Sequence, residues 1–222
     1  MRTRFRRDLG ELSEQLRTIC LLDRTALATA TRALLDADLA AAERAIDMCG
    51  RITALCQNSE RAATRLLALQ APVASDLRQV VTALHLVTDL ARMGAQAKRI
   101  ALIARRRHPA QGVPASVRPA IVHIAEGAVA MAAGASALLD SHDPVEATRL
   151  ANRDAVVGEL RDAVLGSVLR PDWSYGIGVA VDLALLAGYY ERFADHAVRV
   201  GHWTVFVATG RPPRQVAAEQ AP

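Results

Sequence analysis

The run Glu191-Arg-Phe-Ala-Asp195-His196 holds the residue types best suited to chemistry in this chain. On a helix, residues four apart project from one face about a turn apart, so Glu191 and Asp195 would bring two carboxylates together. Like charges at that spacing repel unless a cation lies between them. Such a pair can grip a hard or borderline divalent ion, and His196 offers a softer donor one position on. The alternative is a solvated polar face on which Arg192 or Arg199 neutralises the acids. Spacing alone leaves both readings open.

Catalytic signatures are otherwise missing. Lys98 is the sole lysine and is followed by Arg99, so there is no phosphate-cradling Gly-x4-Gly-Lys loop. Gly176-Ile-Gly178 lacks a third glycine and follows no strand-like run. Neither His-Glu-x-x-His nor Glu-x-x-His occurs, which removes the ferritin-type di-iron pattern. Cys49 and Cys56, seven apart on one helix face, are too distant to bridge and read as small core residues rather than thiolate ligands. Arg105-Arg-Arg107-His108 reads as a cationic helix end, or as a docking surface for an acidic partner or phosphate group. Trp173, Tyr175 and Trp203 read as packing at bundle ends, while His85, His123, His142 and His202 carry no assignment. The expectation is a protein that is not an enzyme. A metal-dependent helical-bundle enzyme built around Glu191 and Asp195 is the alternative, and a basic nucleic-acid-binding helical protein a more distant one.

The elements that must position these residues follow from composition. Of 222 residues, 44 are Ala and 27 are Leu, both good helix formers, against 9 Pro, 13 Gly and 4% aromatics. That is too little turn punctuation for an all-β fold, and 51% hydrophobic with 23% charged content excludes wholesale disorder. A formal net charge of +4 is too small to make a nucleic-acid face unless the arginines cluster, so no nucleic-acid partner is expected. Three cysteines, an odd number, point to a reducing compartment. The basic start has no apolar run behind it, and the apolar windows 121–139 and 176–190 are broken by His123 with Glu126 and by Asp182. The chain reads as cytoplasmic, touching membranes only through partners.

Leu9, Leu12, Leu16, Ile19, Leu27, Ala30 and Leu34 step by three and four, with one eight-residue interval, as one stripe of a long helix. Asp36-Ala-Asp38 breaks it and caps a second helix over 39–69, which Ala71-Pro72 ends. A third runs from Pro72 to residue 107 and a fourth over 117–140. Asp143-Pro-Val-Glu146 opens a fifth in capping-box fashion, and Arg170-Pro-Asp172 ends that helix and caps a sixth over 173–209. Residues 86–100 align without a gap on 186–200, pairing Leu86 with Leu186, Arg92 with Arg192, Ala97 with Ala197 and Arg99 with Arg199. The fold expected is all-α, two tandem three-helix bundles related by duplication: residues 1–107, a linker at 108–116, residues 117–209, and a disordered tail at 210–222.

Leu-Ala-Leu-Gln-Ala-Pro72-Val-Ala-Ser-Asp76-Leu-Arg78, Asp89-Leu-Ala-Arg-Met-Gly94, Tyr190-Glu-Arg-Phe-Ala-Asp-His-Ala197 and Val-Ala-Thr-Gly210 together resemble the PhoU family, over roughly residues 5 to 210 and in order. The resemblance implies a regulator of phosphate signalling built from two three-helix repeats. It implies negative regulation of phosphate uptake and starvation signalling through the ATPase of the phosphate ABC transporter and a sensor histidine kinase, and self-association as a homodimer. It also implies an acidic metal motif, Glu(Asp)-x-x-x-Asp, on the last helix of each repeat, able to hold iron or zinc. Here the second motif is intact as Glu191 and Asp195, with Asp154 on the preceding helix. The first is replaced by Ala91 and Ala95, so a metal is expected at the second repeat only.

Overall fold

The computed structural model of the protein describes residues 2–211. Six helices follow one another: α1 (Arg2–Asp36), α2 (Leu39–Gln70), α3 (Ala74–Arg107), α4 (Arg118–Ser141), α5 (Pro144–Val168) and α6 (Ile177–Thr209). No strand occurs among the described residues. Gly210 caps α6 in the left-handed region at φ 75°, and residues 212–222, most of the expected tail, lie outside the described residues.

The punctuation works largely as its chemistry dictates. Asp38 accepts from the Ala41 N–H at 2.9 Å and starts α2. Asp143 accepts from the Val145 N–H at 2.8 Å and starts α5. The capping box there is only half formed, because Glu146 turns to Arg149. Two expected starts move. Pro72 lies outside α3, whose N-cap is the extended Val73 (φ −125°), because 71–73 are spent reversing the chain after the left-handed Ala71. The sixth helix begins at Ile177 rather than Trp173. The Trp173 indole N–H donates to the Gly176 carbonyl at 3.0 Å, Gly176 takes φ 80°, and Asp172 is held by Arg170 at 2.9 Å instead of capping.

α1–α3 pack as one bundle and α4–α6 as the other, and the two share one continuous hydrophobic core. α3 and α6 run antiparallel along the seam between them. At one end Arg106 and Arg107 of α3 both bond Asp182 of α6, Arg107 at 2.6 Å. Further along, Asp89 of α3 accepts from His196 Nδ1 at 3.0 Å and Arg199 Nε at 3.1 Å. His85 then stacks on Trp203 at 3.9 Å. α1 and α4 pair more loosely, through Arg118 with Asp36 at one end and Arg17 with Asp140 at the other. By length and composition α4 could cross a membrane, and 44% of its most apolar window is buried inside the bundle.

The buried stripe of α1 (Leu16, Ile19, Cys20, Asp23, Ala26, Leu27, Ala30) superimposes in spacing on that of α4 (Ile121, Ile124, Ala125, Ala128, Met131, Ala132, Ala135). The match makes Asp23 the counterpart of Ala128. Asp23 fills the eight-residue interval between Ile19 and Leu27. It is fully buried, and neither carboxylate oxygen has a hydrogen-bond partner. A Cβ on Gly94 would lie 3.0 Å from its Oδ1 and 2.9 Å from Ile52, so glycine is what admits the carboxyl group. Burial holds the Asp23 pKa well above the usual carboxylate range. Above about pH 4 the unfolded chain has released this proton while the folded chain keeps it, so stability falls as pH rises. Asp23→Ala is expected to stabilise the protein by about 1–3 kcal/mol in urea unfolding at pH 8, with the gain shrinking towards pH 4. A variant weaker than its parent at both pH values would contradict this.

Candidate functional site

α6 delivers Glu191 and Asp195 towards α5, as their four-residue spacing requires, and α5 answers with Asp154. The three acids interact. Asp154 is pushed up to about 6 by burial first, then by the charges of Asp195 and Glu191, and by a hydrogen bond with Asp195. Two carboxyl groups share such a bond only when one carries the proton, so at mildly acidic pH the pair holds a proton between them. The other Asp154 oxygen, Oδ1, is buried and has no partner. Glu191 is bonded by Arg161, which lies seven residues after Asp154 on the same side of α5 and also holds Asp162 at 2.7 Å. As placed, the carboxylates do not form a closed cage. Among the described residues no three His, Cys, Asp or Glu side chains converge tightly enough to hold an ion.

His196 does not join the acids. Adjacent helix residues point about 100° apart, and this one turns to α3 and donates to Asp89. Arg105, Arg106 and Arg107, expected at the end of α3, face acids of this chain. Arg105 meets Glu43 at 3.4 Å, Arg106 meets Asp182, and Arg107 meets both Asp182 and the Gly178 carbonyl at 2.7 Å. Their outer faces remain open. Cys49 and Cys56 are free, buried thiols pushed up to about 12 by desolvation. At neutral pH neither is a thiolate, the form that binds metal or attacks.

The first repeat shows what the same position becomes without acids. Buried positions of α2 and α5 share one spacing: Cys49, Ile52, Ser59 and Leu66 against Ala147, Leu150, Val157 and Val164. Cys56 therefore stands where Asp154 stands, as Ala91 and Ala95 stand for Glu191 and Asp195. These three line a groove of about 430 Å³, with Thr53, Thr88 and a single acid, Glu60.

Arg161 and Asp23 escaped the sequence reading. The eight-residue interval in the α1 stripe signals Asp23. Nothing in the sequence signals that Arg161 reaches across to Glu191, because the contact joins two helices.

The profile of the PhoU domain matches this chain twice, over residues 16–104 and 121–204. The chain belongs to the PhoU family. A Mycobacterium tuberculosis protein named phosphate-specific transport system accessory protein PhoU homolog 2 is 42% identical over 213 residues, 96% of this chain and 100% of that protein. A Mycobacterium leprae protein, PhoU homolog 1, is 42% identical over 96% of each chain. The crystal structure of PhoU from Pseudomonas aeruginosa superimposes with a TM-score of 0.84 at 23% identity, covering 93% of this chain and all (100%) of that one. The phosphate transport system regulatory protein PhoU from Streptococcus pneumoniae does so at 0.81 and 24%, covering 93% and 98%. Both confirm the fold of paired three-helix bundles.

The crowding of acids in this PhoU-family protein has a measurable cost. Asp154 binds its proton more tightly folded than unfolded, so its contribution to stability is full below about pH 4 and is lost as pH rises towards 6. Asp154→Asn is expected to raise the urea midpoint at pH 8 and to leave it unchanged near pH 4. An equal shift at both pH values would show that the carboxylates are not coupled.

Proposed function

We propose that this PhoU-family chain is a cytoplasmic regulatory adaptor, not an enzyme, that restrains phosphate uptake and phosphate-starvation signalling. It does so by binding the ATPase of the phosphate ABC transporter, the sensor histidine kinase, or both, and it self-associates as a homodimer. The observation that carries this reading is the doubled PhoU domain, together with 42% identity to the full length of a protein named as an accessory of phosphate transport. The name of the Streptococcus relative, a phosphate transport system regulatory protein, points the same way. The chemistry agrees. The buried thiols are protonated at neutral pH, and the acidic groups sit beside an arginine rather than a nucleophile. What the chain offers instead is a stiff double bundle with charged helix faces, suited to partner segments.

In this reading Asp154, Glu191 and Asp195, which do not converge as placed, draw together around one divalent ion, iron or zinc. The donor set supports it. The three are hard oxygen ligands, one of which (Asp154 Oδ1) is a buried acceptor lacking a donor. The ion would supply charge neutralisation and a tie between α5 and α6, and Arg161 now supplies part of that neutralisation. No metal is assigned to the first repeat, where Cys56, Ala91 and Ala95 take the equivalent places.

Two measurements check the proposal. Affinity purification of the tagged full chain from phosphate-replete cells is expected to recover the transporter ATPase or the sensor kinase, and recovery of neither contradicts the adaptor reading. After equilibration with Zn²⁺ the protein is expected to retain one ion per chain. A Glu191→Ala/Asp195→Ala variant should retain none, and affinity should strengthen as pH rises through about 6 and Asp154 loses its proton. Equal zinc in both proteins removes the metal site and leaves the adaptor reading standing.

A further inference from the structure

From Ile177 to Tyr190, α6 carries one charged residue, Asp182, and that residue is buried beneath Arg106 and Arg107. The outer face of these turns is apolar. Ile177, Val181 and Leu185, four apart, are 85%, 52% and 41% exposed. Gly178 and Gly188 lie beside them on the same side. Leu169 and Tyr175, at the turn into α6, are exposed as well. Five of the twelve large hydrophobic residues exposed among the described residues thus fall between 169 and 185. A patch so concentrated marks a contact surface rather than the scattered apolar residues of an ordinary exterior.

Arginine closes the stripe at both ends. An Arg107 nitrogen lies 3.5 Å from where a Cβ on Gly178 would stand, and an Arg192 nitrogen 4.0 Å from the same point on Gly188. Arg106 and Arg107 share a single acid, Asp182, and so retain net positive charge. Arg192 is exposed and makes no ion pair among the described residues. This pattern selects the occupant. Two copies of the chain laid face to face would set arginine against arginine, whether the helices ran parallel or antiparallel, and like charges across an interface are repulsive. The stripe is also linear, about 17 Å from Ile177 to Gly188 at the helical rise, with branched side chains four apart, as helix-on-helix packing requires.

We propose that this face of α6 is a docking site for an amphipathic helix of another protein, one whose apolar face spans about three turns and is flanked at both ends by acidic residues. The occupant's branched side chains pack among Ile177, Val181 and Leu185, and its end carboxylates meet Arg106 with Arg107 and Arg192. The site adjoins the acidic pocket between α5 and α6 at Arg192, the residue after Glu191, and stands whether or not that pocket holds a metal.

The test uses the full chain and two synthetic helical peptides with the same Leu/Ala face, one with Glu at both ends and one with Lys, read by fluorescence anisotropy. The Glu-flanked peptide is expected to bind at least tenfold more tightly. Val181→Glu and Leu185→Ser should each weaken it at least tenfold with an unchanged melting temperature, and Arg192→Glu should narrow the preference over the Lys-flanked peptide. Equal affinity for the two peptides, or binding of neither at millimolar concentration, overturns the proposal. So does a Val181→Glu variant that has lost self-association, which would assign the stripe to a second copy. Adsorption to phosphatidylserine vesicles that Val181→Glu abolishes would assign it to a lipid surface.

Discussion

The structure depends on how two buried acids take their donors at the seam between the repeats, even though Asp89 Oδ2 is left without one. Asp89 belongs to the first repeat and takes its donors, His196 and Arg199, from the second. Asp182 belongs to the second and takes its donors, Arg106 and Arg107, from the first. A carboxylate removed from water is tolerable only with such partners, so neither repeat can withdraw from the other without stranding a charge. The exchange fixes the rotation of α6 about its axis. With His196 held against α3, Asp195 and Glu191 have to face α5, and the apolar side of the first turns of α6 has to face outwards. The positions of both the acidic pocket and the exposed stripe follow from that rotation.

Duplication gave two copies of one architecture, and substitution has since made them opposites. The first repeat carries a carboxyl group inside its core at Asp23 and an apolar groove at Cys56, Ala91 and Ala95. The second carries Ala128 in its core and acids at Asp154, Glu191 and Asp195. Each arrangement has its own cost. An orphaned buried acid is destabilising unless protonated, and so is a crowd of acids on two facing helices unless a proton, an arginine or an ion intervenes. In the second repeat Arg161 and, at mildly acidic pH, the proton shared by Asp154 and Asp195 supply the intervening charge.

Most of the fold is legible in the sequence because its signals are local. Three-and-four stepping of Leu, Ile and Ala marks the helix faces, and Asp38, Asp143 and Pro144 mark their starts. The beginning of α6 is misread because an indole-to-carbonyl bond, invisible to any capping rule, stabilises the turn ahead of it. Glu191 and Asp195 are legible because one helix sets their spacing. Asp154 enters only through resemblance to a family, and Arg161 not at all, since both reach the site from another helix. Sequence likewise reads the three arginines at the end of α3 as a cationic helix end or as a docking surface for an acidic partner or phosphate group. What it lacks is Asp182, seventy-five residues beyond Arg107, which draws two of them inward.

Native-state hydrogen exchange in increasing urea, read on the central amides of α2 and α5, tests the seam most directly. If the exchanged donors at Asp89 and Asp182 bind the repeats into one cooperative body, both sets of amides open at a common free energy, and Asp182→Ala lowers them together. Opening of α5 at a distinctly lower free energy while α2 stays protected would contradict that account.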